Sequence, residues 1–124
     1  MDQRYRDSWQ QMLKMTKTLY DSGIRIVAGT DGLAGFTLHR ELELYVQAGI
    51  PAPKVLQLDT LGAARIMKRD GELGSIVPGK LADMILVDGD PSAHISDIRR
   101  AVITVKDGVV YHNSELYQAL GVQP

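Results

Sequence analysis

Residues 71–91, GELGSIVPGKLADMILVDGDP, restrict the fold of this chain more than any other part of it. Pro78-Gly79-Lys80 predicts a tight turn, because proline presets one backbone angle and glycine accepts positive φ. After Ala82-Asp83, the apolar run from Met84 to Val87 predicts a strand, and Asp88 to Pro91 stops it. A second signal lies upstream, in Ile24-Arg25-Ile26-Val27-Ala28-Gly29-Thr30-Asp31. There a short apolar strand ends in a small residue, a hydroxyl and a carboxylate.

The 124 residues suit one domain. With 44% hydrophobic and 23% charged residues, the composition is that of an ordinary globular chain. A net charge of −1 argues against a nucleic-acid or anionic-membrane surface, which needs a basic face. Cysteine is absent, which excludes disulfides and thiolate metal sites. No apolar run reaches the length of a membrane span. The N-terminal MDQRYRDSWQ lacks the apolar core of a signal peptide, so the expected location is cytoplasmic. For a fragment, an export signal of the parent would lie outside this sequence.

Residues 3–22 predict an amphipathic helix. Tyr5, Trp9, Met12, Leu13, Thr16, Leu19 and Tyr20 recur at steps of three or four and form one face. Gly23 ends the helix, and residues 24–28 follow as a buried strand. Residues 32–36 read as a loop. A helix over 39–48, with Leu42, Tyr45 and Val46 inward, ends at Gly49. Pro53 suits the first turn of a longer helix over 54–68, with Val55, Leu58, Leu61, Ala64, Ile66 and Met67 toward the core. Asp59, Thr60 and Gly62 interrupt its regularity.

Beyond Gly71 the pattern turns to short strands at 75–77, 82–87, 101–106 and 109–112. Asp107-Gly108 is a strong hairpin signal. Residues 88–98 form an acidic loop with a helical turn near 96–98, and a last helix over 114–120 takes Ser114 as its cap. The chain therefore divides into an α/β segment, 1–70, and a β segment, 71–124. Such short strands leave open edges, so association with other chains or with a missing N-terminal part is expected.

Asp31 is the first candidate for chemistry, because α/β folds present ligands just past the C-terminal ends of their strands. A carboxylate there can bind a metal or accept a proton from water; it can equally cap a Thr-Asp turn. His39 follows eight residues later, at the start of a helix. Asp88, Asp90, His94 and Asp97 are acidic or ligand-type groups without a fixed ligand spacing, and read as a solvated loop. The sequence has no His-x-His, no His-Glu-x-x-His and no Gly-x-Ser-x-Gly.

Together these elements resemble the closing segment of amidohydrolase-superfamily enzymes. The resemblance rests on Gly74-Ser75-Ile76-Val77-Pro78-Gly79-Lys80-Leu81-Ala82-Asp83, the apolar strand to Asp88, and Asp90-Pro91. It extends upstream to Ala28-Gly29-Thr30-Asp31, to His39-Arg40-Glu41-Leu42 and to Asp59-Thr60-Leu61-Gly62-Ala63-Ala64-Arg65. The imidazolonepropionase-like and Xaa-Pro-dipeptidase-like branch is the most similar. The resemblance implies an α/β fold: the last β/α units of a metal-dependent (β/α)8 barrel, plus part of a small C-terminal β-sandwich. It also implies a hydrolase of amide, dipeptide or cyclic-amide C–N bonds, acting with a divalent metal, zinc by family habit. Asp31 would be the metal-associated, catalytic carboxylate. His39 would lie in the substrate-facing region, while Gly74, Gly79, Lys80, Ala82 and Asp83 would be structural.

The family's other ligands, a His-x-His, a carboxylated lysine or acidic residue and two further histidines, have no counterparts here. The expectation is a fragment that binds no metal tightly and has no turnover alone. The alternative is a stand-alone binding or structural module that oligomerises through its strand edges.

Overall fold

The computed structural model describes residues 2–32 and 37–122. Its N-terminal helix α1 (Gln3–Asp21) begins at Asp2, whose carboxylate accepts the Arg4 N–H. It ends as glycine dictates: Gly23 takes φ 75° and lets the Ile24 N–H return to the Leu19 carbonyl. The predicted apolar face is buried only in part. Leu13 is enclosed, Trp9, Leu19 and Tyr20 are half-buried, and Tyr5 and Met12 are exposed. The cause is that α1 packs mainly on one neighbour, α2 (Thr37–Gln47), so a face wide enough for two contacts fills one.

Residues 24–28 join no ladder among the described residues, so the predicted strand is absent as a paired strand. A strand is defined by hydrogen bonds to a neighbour, and among the described residues no parallel neighbour exists. The loop expected over 32–36 lies, from residue 33 onward, outside the described residues.

Helix α2 buries Leu42 and Tyr45, as its periodicity predicts. After a turn at Gly49, α3 (Ala52–Gln57) runs into a π-helical turn, Leu58–Gly62, and then α4 (Ala63–Ile66). The single long helix of the sequence reading is therefore interrupted where Asp59, Thr60 and Gly62 fall. The Thr60 hydroxyl bonds back to the Leu56 carbonyl at 2.7 Å, a contact that competes with the regular ladder. The helix also ends sooner than expected, leaving Ile66 and Met67 exposed rather than in the core.

Residues 75–77 are not a strand either. Lys80 donates to the Asp70 and Leu73 carbonyls and to the Ser75 hydroxyl, winding this segment into a compact turn. Ile76 is left 77% exposed. Next come β1 (Met84–Val87), a 3₁₀ turn (Ile95–Arg100), β2 (Ala101–Lys106), β3 (Val109–His112) and α5 (Asn113–Leu120). The strands form an antiparallel sheet in the order β1-β2-β3. Met84 faces Val105, Thr104 faces Tyr111, and a bulge falls between Leu86 and Val87.

The Asp107-Gly108 hairpin forms as predicted, with φ 51° and 78°, the paired positive values of a type I′ turn. Helix α5 starts one residue before the expected cap Ser114. Asn113 is buried and sets the start: its amide donates to the Ala101 carbonyl and accepts from the Thr104 hydroxyl, both at 2.8 Å.

The core draws on both sides of residue 70. Leu42, Tyr45, Ile50, Ala52 and Val55 meet Ile95 and Ile98, with Tyr20, Ile26, Ala28 and Val87 packed around them. Burying a side chain such as Val55, which has no exposed surface, contributes about 2 kcal/mol. The acidic loop reads as solvated from its charges, yet its isoleucines Ile95 and Ile98 belong to this core. Their three-residue spacing on the 3₁₀ turn puts both on one face.

Candidate active site

The segment 24–30 carries Asp31 at its end, exposed to solvent. The Thr30 side chain holds the turn there. The Thr30 hydroxyl accepts the Gly32 N–H at 3.0 Å and bonds the Thr37 hydroxyl at 2.7 Å, tying the loop to the start of α2. Gly32 suits this closure, because a Cβ on it would lie 2.7 Å from Thr37 Cγ2.

One side chain grips the segment upstream: the Tyr45 hydroxyl donates to the Val27 carbonyl at 3.0 Å. Burial pushes Asp59 up to about 6, and the nearby Ala28 amide opposes that rise. Burial also raises the Tyr45 phenol, helped by the negative charges of Glu41 and Asp59. In the sequence Asp59 stands out as an irregularity in a helix and as the first residue of the family-like stretch 59–65, with no role in the site. An acidic residue inside an otherwise apolar helical stripe is the signal that could have found it.

His39 is half-buried on the first turn of α2. Burial lowers its pKa, the Arg99 guanidinium lowers it further, and Glu43 opposes both. The imidazole is therefore neutral at pH 7. Arg99 and Arg40 both bond Glu43, at 2.6 and 3.2 Å, joining α2 to the 3₁₀ turn. Chiefly through the Arg99 bond, these contacts hold the Glu43 carboxyl below its usual range.

The acidic loop spends its carboxylates on its own backbone. Asp90 accepts the Ser92 and Ala93 amides, and Asp97 accepts the Asp90 amide. Among the described residues no three His, Asp or Glu side chains stand close enough together to hold a metal ion.

The structural motif lies apart, around a groove of about 740 Å³ lined by Asp59, Met67, Ile76, Met84, Ile85 and Val105, among others. Gly74 takes φ 83° on its wall, where a Cβ would meet Leu61 Cα at 2.8 Å and the Thr60 carbonyl at 2.9 Å. Gly79 takes φ 91° in the tight turn, and the Ala82 carbonyl accepts the Gly108 N–H.

An exposed carboxylate thus closes the 24–30 segment, and a helix and a small antiparallel sheet follow it in the chain. Residues 10–111 match the profile of the amidohydrolase family, and the chain belongs to that family. It is 32% identical over 113 residues to a 5-methylthioadenosine/S-adenosylhomocysteine deaminase of Syntrophobacter fumaroxidans, an alignment covering 68% of this chain and 26% of that protein. An imidazolonepropionase of Thermoanaerobacter pseudethanolicus is 32% identical over 77 residues, covering 58% of this chain and 19% of the relative. Among solved structures, a Xaa-Pro dipeptidase with methionine bound in its active site superposes with a TM-score of 0.77 at 35% identity, covering 82% of this chain and 26% of that one. A putative prolidase from Bifidobacterium longum superposes at 0.75 with 27% identity, covering 81% and 26%. The chain thus spans about a quarter of the length of the first of these relatives and of both structures.

Proposed function

We propose that this chain is the C-terminal part of a metal-dependent hydrolase of amide, dipeptide or cyclic-amide C–N bonds. Residues 1–70 would supply the last β/α units of a (β/α)8 barrel, and residues 71–124 part of its β-sandwich. The observation that carries this reading is the position of Asp31. It stands exposed at the end of the 24–30 segment, in a chain 35% identical to a Xaa-Pro dipeptidase over most of its length.

In this reading Asp31 is the carboxylate that accepts a proton from the attacking water. The neutral imidazole of His39 faces the substrate region. The donor set of this chain does not by itself fit a catalytic ion, which takes about three protein ligands; none of the clusters among the described residues reaches that number. The divalent ion, zinc by family habit, and the small amide substrate would therefore be held jointly with other polypeptide, either the remainder of the same enzyme or further copies.

The test assays Xaa-Pro dipeptide hydrolysis with added Zn²⁺ or Mn²⁺, by the purified chain and by a longer protein that carries it. Expected are no turnover by the chain alone and a loss of about 10³-fold in the longer protein on Asp31→Asn. Zinc-dependent turnover by the 124 residues alone, or full rate with Asp31→Asn, overturns the proposal. A second reading, a stand-alone module that assembles through its strand edges, draws on the exposed Leu86, Val109 and Val110.

A further inference from the structure

We propose that Glu43 and Arg99 are positioning residues: their ion pair seats the first turn of α2, and with it His39, on the 3₁₀ turn Ile95–Arg100. The functional weight of this seat rests on the reading of His39 as facing the substrate region.

Exposed ion pairs contribute little, because water screens them and two long side chains must be ordered. The Glu43 pair departs from that case. Its carboxylate is the best shielded in any ion pair among the described residues, with 17% of the side chain exposed. Both of its oxygens are engaged in charge-assisted bonds: Arg99 Nε donates to one at 2.6 Å and Arg40 Nη1 to the other at 3.2 Å. The Arg99 bond also joins residues 56 apart in the chain. Beneath it, Leu42 and Tyr45 of α2 share a core with Ile95 and Ile98 of the turn. That apolar contact brings helix and turn together, but it is non-directional and leaves α2 able to slide or roll. A short bond from a planar guanidinium fixes the register.

The helix carries this fixed point upstream. His39 and Glu43 stand one turn apart on the same face. At the start of α2 the Thr37 hydroxyl bonds that of Thr30, which in turn accepts the Gly32 N–H. The contacts therefore run from Arg99 to the turn that carries Asp31. His39 also senses both members of the pair. Beneath the larger lowering by burial, Arg99 lowers its pKa and Glu43 raises it.

The test is NMR on the 124-residue chain. In the wild type the Arg99 Nε–H should exchange about tenfold or more slowly than those of exposed arginines. Arg99→Gln should raise the pH midpoint of His39, and Glu43→Gln should lower it. Arg99→Lys, which keeps the charge, should move it less than Arg99→Gln. Either neutral variant should shift the Gly32 amide resonance, and the double variant should shift it no further, because the pair acts as one unit. Protection of the Val55 amide reports that the core is intact throughout. Fast exchange of the Arg99 Nε–H in the wild type overturns the proposal without any variant. So do His39 midpoints that move the same way in both neutral variants, a Gly32 resonance that moves in neither, or additive shifts in the double variant. None of these signals requires turnover, so a failure of the catalytic reading in the dipeptide assay is distinguishable from a failure of the seat.

Discussion

The Asp83 carboxylate bridges Lys106 and Asp107. One oxygen lies 2.6 Å from Lys106 Nζ and the other accepts the Asp107 N–H at 2.7 Å. The residue that follows the Lys80 turn thereby holds the tip of the β2–β3 hairpin, 24 positions away. Strand β1 enters the sheet with its partner's turn already pinned.

These bonds, the Lys106 contact foremost, keep the Asp83 carboxyl below the ordinary value of 3.8. A depressed carboxyl stabilises the fold above its unfolded pKa, and that contribution is lost as pH falls through the folded value. Asp83→Asn should therefore lower the melting temperature at pH 7, with the difference from wild type vanishing toward pH 2. Thermal unfolding followed by circular dichroism across pH 2–7 measures this; an equal deficit at every pH would contradict it.

Gly74→Ala should be among the costlier single substitutions. It places a Cβ at φ 83° against backbone atoms of Leu61 and Thr60 that cannot swing aside. The strain is expected to cost about 2–3 kcal/mol. Urea denaturation provides the measurement. A cost below about 0.5 kcal/mol would mean that α4 and this turn do not pack as closely as they do here.

Asp59 gives the opposite pH signature to Asp83. Its folded value of about 6 exceeds the ordinary 3.8, so between those values the folded chain binds more protons than the unfolded one. Stability must then fall as pH rises through that window. The carboxyl is only half-buried, and solvent screening reduces the effect to about 1 kcal/mol. Asp59→Asn removes the titration, so its stability relative to wild type should rise between pH 4 and pH 7. Denaturant midpoints at those two pH values test the sign.

The apolar surface outside the core should promote association. Ile76, Leu86 and Val110 are each more than half exposed, and β1 and β3 are sheet edges among the described residues. Multi-angle light scattering at micromolar concentration should detect dimers or larger species. Replacing Leu86 and Val110 with Lys should shift them toward monomer. A clean wild-type monomer would sink the prediction.

Short-range chemistry was legible in the sequence. The helix stop at Gly23, the burial of Leu42 and Tyr45 and the Asp107-Gly108 hairpin each depend on a few adjacent residues, whose backbone preferences act wherever the chain goes. The family too was readable, because Gly74 to Asp90 packs several turn and strand requirements into a short span. The tertiary structure alone decided what depends on distant partners. Residues 24–28 look like a strand, but a ladder needs a neighbour, and among the described residues none pairs with them. The apolar stripe of α1 is only half-covered because burial depends on what lies opposite, and periodicity does not encode that. Ile95 and Ile98 lie in the core, although charged neighbours made them look solvated, because the 3₁₀ turn rotates both toward α2. The order of residues sets local torsion and hydrogen-bonding capacity; which of those capacities is met, and by what, is fixed only when segments far apart in the chain come into contact.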